Sequence, residues 1–170
     1  FTFHSNDLVS VDPVFYRQET RLAMDAHLML FYTSFKRDAN DILKSQNTKM
    51  EAKRHVLSEM KSLVNPIREI LSSGTNIHGI GDALHRGWLL KKSITDEISS
   101  KQIDEYYERA LKSGALGGKL LGAGGGGFLL LYVEPQNQKT VRESLSNLFE
   151  LPFHFENSGT RITYYDQTGI

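Results

Sequence analysis

The sequence predicts an α+β fold: a mainly antiparallel sheet with helices packed on one face and a helical insertion in the middle. Three observations lead there. Unbroken apolar, β-branched and aromatic runs at Leu28 to Thr33 and Phe128 to Val133 have the length and composition of well-covered strands. Between them, from Met50 to Ser113, apolar residues recur at helical spacing through several segments. A block of glycines then joins Lys119 to Leu121 directly to Phe128, which leaves room for a turn between two strands but none for a helix.

Taken in order, Leu8 to Val14 is β-branched, and Pro13 places it at an edge or a strand end. Gln18 to Ala26 has helical composition and leads into the strand at Leu28. Arg37 to Leu43 reads as a helix with Ala39, Ile42 and Leu43 on one side. From Met50 to Leu71 the stripe Val56, Leu57, Met60, Leu63, Val64, Ile67, Ile70 and Leu71 is helical. Pro66 should kink that helix or start a new one with Asn65 as its cap, and Ser72, Ser73 and Gly74 end it. A further helix is expected over Asn76 to Lys91, with Ile77, Ile80, Leu84 and Trp88 on one face. Another runs from Lys101 to Ser113 and stops at Gly114. After the glycine hairpin, Gln136 to Phe149 is amphipathic through Val141, Leu145 and Leu148, with Pro135 in its first turn. Phe153 and Phe155, then Ile162 and Tyr164, alternate with polar residues and predict two half-exposed strands joined around Asn157 to Gly159.

A chain of 170 residues suits one domain with a substantial core. Twenty basic and twenty acidic residues leave no formal net charge, so no global field recruits nucleic acid or a membrane surface. The absence of cysteine excludes disulfides, thiolate metal sites and a cysteine nucleophile, and fits a reducing cytoplasm. No apolar run approaches the roughly twenty residues that span a bilayer, and the amino end lacks a signal-peptide layout; a soluble, cytoplasmic protein is expected. Because it starts at Phe1 without an initiator methionine, the sequence is expected to be a fragment or a processed product.

Gly114 to Val133 holds eight of the fourteen glycines. Glycine loses the most conformational freedom on folding, so such a block implies that something approaches the backbone closely. Gly122 to Gly127 satisfies GxGxxG, but the dinucleotide fingerprint needs a helix after the glycines, and here a strand follows. Nor is this a Walker loop, since the pair Gly118 and Lys119 is followed by Leu120 in place of Ser or Thr. Two readings stay open. Successive backbone N–H groups can form an anion-binding nest, or the glycines can simply make a tight, bulged connection packed against a helix.

Candidate site residues carry similar pairs of readings. Lys119 can hold a phosphate as a point charge, or be a solvated strand-end lysine. Lys36 and Arg37 follow the Leu28 strand at a junction where ligands often meet such layers; Arg37 can grip a phosphate bidentately or be a helix-surface charge. For Lys91, Lys92 and Ser93 the helix macrodipole is a sufficient explanation, with a substrate role as the alternative. Trp88 reads as core and His85 as a satisfied polar residue. With no acidic partner at suitable spacing, no metal site is expected at His85. Asp104, Glu105 and Glu108 read as a solvated helix face with a favourable N-terminal position.

The stretch GGKLLGAGGGGF, Gly117 to Phe128, closely resembles the third conserved motif of the GHMP kinases, the superfamily of galactokinase, homoserine kinase, mevalonate kinase and phosphomevalonate kinase. Within it the chain is most similar to the carboxyl-terminal half of the heptose 7-phosphate kinases, through LMLFYTSFKRDANDIL (Leu28 to Leu43), LHRGWLLKKS (Leu84 to Ser93) and IDEYYERALKSGALGG (Ile103 to Gly118). The resemblance implies a single ferredoxin-like carboxyl-terminal domain over residues 1–170, with residues 1–35 holding the end of an amino-terminal domain or the junction to it. It implies ATP-dependent phosphoryl transfer to the anomeric hydroxyl of a heptose 7-phosphate. The main ATP-phosphate loop, the acidic base and most ligands for ATP and Mg²⁺ would belong to an amino-terminal kinase domain in cis, so no catalytic residue is expected here and the isolated chain should be inactive. Gly122, Ala123, Gly124, Gly125, Gly126 and Gly127 would support the ATP phosphates, while Arg37, which keeps the family's FYTxxxRxA pattern, and Lys119 would face the acceptor. The family commonly has an acidic residue where Arg86 stands, so the resemblance carries no role over to that position. Two alternatives remain: a fucose, galactose or mevalonate kinase, and a non-catalytic anion- or metabolite-binding module.

Overall fold

The run LMLFY is buried in all but its last residue, and it becomes an inner strand of the sheet. The computed structural model describes residues 1–35, 39–156 and 159–164. Along the chain these form β1 (Thr2–Phe3), β2 (Val9–Ser10), α1 (Gln18–His27), β3 (Leu28–Tyr32), α2 (Ala39–Lys49), α3 (Arg54–Ser62), α4 (Val64–Ser73) and α5 (Gly79–Lys92). A 3₁₀ turn at Asp96–Ile98 leads to α6 (Lys101–Lys112), β4 (Ala115–Leu120) and β5 (Phe128–Val133). A second 3₁₀ turn at Pro135–Asn137 precedes α7 (Gln138–Ser144) and β6 (Phe149–Glu150).

The main sheet has the order β4-β5-β3-β6 with every neighbouring pair antiparallel. Numbered along the chain and read from β6, that order is 4-1-3-2, the ferredoxin-like βαββαβ arrangement. Helices α2 to α6 occupy the first crossover, which is the helical insertion, and α7 makes the second. Among the described residues, β1 and β2 pair only with each other.

Strand pleating explains the core. Met29 and Phe31 of β3, with Leu129, Leu131 and Val133 of β5, join Ile103, Tyr107 and Ala110 of α6 and Val141 and Leu145 near α7. The intervening Leu28 and Tyr132 join Ile80, with Met24, Ile67, Ile70 and Leu84 packed around them. α5 reaches both clusters, through Trp88 and Ile80. Each fully buried leucine of β5 contributes about 2 kcal/mol relative to exposure. Two helix ends are fixed locally. Ser100 caps α6, its side chain accepting from the Ile103 N–H at 3.3 Å. Gly74 ends α4 in the left-handed region (φ 71°), its N–H donating to Ile70 O at 2.9 Å.

Several expectations need correction. The stripe from Met50 to Leu71 divides at Leu63 into α3 and α4, and Asn65 does not cap α4. The backbone stays helical at Leu63 (φ −73°, ψ −17°), so no extended residue is present to turn a capping side chain back, and Pro66 sits harmlessly in the first turn. Leu43, expected beside Ile42, is exposed. The strand expected at Leu8 to Val14 shortens to Val9–Ser10, and the helix expected over Gln136 to Phe149 shortens to Gln138–Ser144. Among the described residues of the carboxyl-terminal region, Phe149–Glu150 pairs with Tyr32 and Phe31, and the Leu151 N–H continues to Leu30 O at 2.8 Å. Phe153 and Phe155 lie on no strand, and α1 side chains take the backbone of Phe155: Arg21 donates to Phe155 O at 2.8 Å, and the Phe155 N–H donates to Asp25 Oδ1 at 3.4 Å. Ile162 and Tyr164 are likewise on no strand and exposed. Asn157 and Ser158 lie outside the described residues. Among the described residues, no helix is long and apolar enough to cross a membrane.

Burial has a measurable consequence at two tyrosines. It pushes the Tyr132 phenol up from 10.0 to about 12, with Glu134 adding to the shift, and raises Tyr107 further still. Folding therefore favours the protonated phenols, so their contribution is complete below pH 10.0 and is lost as pH rises through the folded values. Urea midpoints are expected to fall between about pH 10 and 12, and Tyr132→Phe should flatten that fall.

Candidate functional site

The loop between β4 and β5 is held from behind by parts of the chain far away in sequence. Thr33, just past the end of β3, donates to Gly127 O with both its N–H and its Oγ1, each at 2.9 Å, extending the β3–β5 ladder one step. The Gly127 N–H returns to Phe35 O at 3.1 Å, and the Gly125 N–H donates to Ile98 O at 2.8 Å. Gln46 of α2 donates to Ala123 O at 3.1 Å, and Lys91 of α5 donates to Gly122 O at 2.6 Å. Three loop carbonyls and two loop N–H groups are thus engaged with the rest of the fold. The N–H groups of Gly122, Ala123, Gly124 and Gly126 have no acceptor among the described residues.

Gly122, Gly124, Gly125 and Gly127 have φ between 73° and 124°, where a side chain is strained. Gly126 needs glycine for a different reason: a Cβ there would lie 2.3 Å from Phe35 O. Gly124 is closed in the same way, its Cβ falling 2.8 Å from Ile98 O, whereas Gly122 and Gly127 have nothing within 4 Å of a Cβ position among the described residues. The loop therefore packs tightly at Gly124 and Gly126, while Gly122 and Gly127 are open among the described residues. The packing against Phe35 and Ile98 is that of the tight, bulged β-connection.

Lys119 lies on β4 and faces a cleft of about 180 Å³ walled by α3, α4 and α5, including Leu63, Ile67, Leu84 and Trp88. Lys91 lines the same cleft. Burial first, and then the Lys119 charge, lower the Lys91 ammonium below its ordinary value. Sequence reasoning treated Lys91 and Lys92 alike, yet they diverge. Lys92 pairs with Asp104 Oδ1 at 2.5 Å, and Ser99 donates to the same oxygen at 2.7 Å. Asp104 thereby joins the start of α6 to the end of α5 and is structural. The signal that could have separated the two lysines is helical phase: Lys91 is one position past Leu90, on the side of Leu84 and Trp88, and so reaches the loop. Thr33, which also holds the loop, is the threonine of the FYTxxxRxA pattern but was given no role, and Gln46 carried no sequence signal.

The other candidates divide plainly. Lys36 and Arg37 lie outside the described residues. His85 stacks on Tyr107, and its Nδ1 lies 2.8 Å from the Tyr107 hydroxyl, a satisfied polar residue within the α5–α6 contact. Trp88 is core, with its indole N–H buried and unpartnered among the described residues. Arg86 meets Glu59 at 3.7 Å on the surface. Among the described residues, no three His, Asp or Glu side chains converge as metal ligands.

Residues 57–151, more than half the chain, match the family described as GHMP kinases C terminal. The chain belongs to this family. Among curated relatives, the D-glycero-alpha-D-manno-heptose 7-phosphate kinase of Campylobacter jejuni is 26% identical over 145 residues, covering 84% of this chain and 42% of that protein. Among solved structures, a D-glycero-D-manno-heptose 1-phosphate kinase from Bacteroides thetaiotaomicron superposes with a TM-score of 0.59 at 24% identity, over 90% of this chain and 40% of its own. The Methanococcus jannaschii mevalonate kinase superposes at 0.63 and 21% identity, over 79% and 42%. These superpositions establish a shared GHMP carboxyl-terminal fold. The chain spans less than half the length of the relatives it matches.

Proposed function

We propose that this chain is the carboxyl-terminal half of an ATP-dependent GHMP sugar kinase that phosphorylates the anomeric hydroxyl of a heptose 7-phosphate. Residues 1–170 would form one carboxyl-terminal domain, with the junction to an amino-terminal kinase domain within the first 35. The observation that carries the reading is the glycine loop, which is packed behind by Phe35 and Ile98 and has four backbone N–H groups with no acceptor among the described residues. Its likeness to the third GHMP motif and to the Campylobacter enzyme supports the kinase and the sugar phosphate.

The loop suits the phosphates of a nucleotide. The open space at Gly122 and Gly127 admits phosphate oxygens, and the N–H groups of Gly122, Ala123, Gly124 and Gly126 would face them. When bound, ATP with Mg²⁺ supplies the phosphoryl group and neutralises charge on it. This chain would position rather than react: the loop fixes donors in advance, because Thr33, Gln46, Lys91, Phe35 and Ile98 already hold its backbone. Lys119, and Arg37 outside the described residues, would face the acceptor. The Mg²⁺ ligands and the base are assigned to the amino-terminal domain, and the protein to the cytoplasm.

ADP release by the full-length protein with ATP, Mg²⁺ and heptose 7-phosphate, fucose, galactose or mevalonate tests this. Turnover confined to heptose 7-phosphate is the expected result, with residues 1–170 alone inactive. Turnover of another acceptor would reassign the substrate within the family. No turnover with any acceptor would favour a non-catalytic binding module.

A further inference from the structure

Lys91 and Lys119 share one cleft, and Lys119 is close enough to depress the ionisation of Lys91. Among the described residues neither has a carboxylate partner, while the neighbouring cations do: Lys92 pairs with Asp104 and Arg86 with Glu59. The chain carries as many acids as bases, so counter-ions are not scarce. Two ammonium groups brought together without an anion oppose folding, more so where one is half-buried, and such arrangements concentrate at functional sites.

The surroundings favour a compact anion. Leu63, Ile67, Leu84 and Trp88 wall the cleft with hydrocarbon, which strengthens the field of the two cations on anything that enters. An organic phosphate carries about −1.5 to −2 charge near neutral pH, which matches two lysines. An ammonium has three donors, so Lys91 can keep its 2.6 Å bond to Gly122 O and still donate to a phosphate oxygen.

We propose that Lys91 and Lys119 together seat the phosphate that the acceptor sugar already carries, and that this pair makes the enzyme select phosphorylated over unphosphorylated sugars. This rests on the kinase reading above. Lys91 then links the two substrates, since it also holds the glycine loop assigned to ATP.

The test is calorimetric titration of the full-length protein with heptose 7-phosphate, the same heptose without phosphate, and inorganic phosphate. Wild type, Lys91→Met, Lys119→Met and Lys91→Arg are compared, with folding verified by thermal melting. Lys119→Met removes repulsion without breaking a hydrogen bond, so it should melt at or above the wild-type temperature. In wild type the sugar phosphate is expected to bind at least about tenfold tighter than the free sugar, the scale of a charge-assisted contact. That ratio should collapse towards one in both methionine variants and return in Lys91→Arg. Equal loss of both sugars, or an unchanged ratio, would overturn the proposal. If the protein phosphorylates no acceptor, the kinase reading fails but the seat is still tested: inorganic phosphate binding weakened in both methionine variants supports it, and unchanged binding overturns it.

Discussion

Gly117→Ala is expected to lower stability by about 3 kcal/mol, the upper end for overpacking. A Cβ at Gly117 would stand 2.0 Å from Gly81 O and 2.9 Å from both Gly81 C and His85 Cβ. The first two are backbone atoms of α5, so no rotamer change relieves the clash. The contact is reciprocal, because a Cβ at Gly81 would meet Leu116 Cβ at 2.7 Å and Tyr132 Cδ1 at 3.0 Å. Helix and strand touch through paired glycines at the register shift in β4, where Ala115 pairs with Val133 and Gly117 with Tyr132. To admit one methyl, α5 must lift from β4, separating Ile80 and Leu84 from Tyr132 and Leu116. A thermal melt of residues 1–170 should show a fall of roughly 6–12 °C. An unchanged melt would mean that α5 does not lie against β4 in this way.

Gly126→Ala is expected to reduce kinase turnover of the full-length protein by about 100-fold, the scale on which small displacements of positioning groups act. Its Cβ would fall 2.3 Å from Phe35 O, 2.7 Å from Phe35 C and 3.0 Å from Phe35 Cβ. The loop must move outward, into the space assigned to phosphate, and the Gly127 N–H bond to Phe35 O is pulled with it. Gly127→Ala is the informative control. Among the described residues nothing lies within 4 Å of that Cβ, so the strain of φ 97° is the expected cost, about 1–2 kcal/mol. Initial rates of ADP release should therefore fall much further in Gly126→Ala than in Gly127→Ala. The reverse order would show that backbone conformation, not the Phe35 contact, sets the loop's position.

What the sequence revealed followed from periodicity and from glycine. The strands at Leu28 to Thr33 and Phe128 to Val133 were readable as unbroken apolar runs of strand length, and the helices after Met50 because Val56, Met60, Ile67 and Ile70 recur at helical spacing. The glycine loop was readable because few other folding reasons place six small residues between two strands. The end of the chain was not, because Phe153 and Phe155 alternate as a strand would while α1 side chains supply the backbone partners of Phe155. Asn65 misled because side-chain capping needs an extended residue, and Leu63 remains helical. Lys91 was passed over for a related reason: a cation in a last turn is explained by the macrodipole alone, and its bond to Gly122 O spans 31 residues. Gln46 reaches Ala123 across 77 residues, a pairing that no local pattern encodes.

The central claim is that the open side of the glycine loop faces the phosphates of ATP. Amide hydrogen exchange of the full-length protein, with and without ATP and Mg²⁺, tests it residue by residue. The account predicts that the amides of Gly122, Ala123, Gly124 and Gly126 become slower to exchange on nucleotide binding. Those of Gly125 and Gly127, already donating to Ile98 O and Phe35 O, should change little. Nucleotide binding that leaves all six unchanged would contradict the claim and reduce the loop to a structural hairpin.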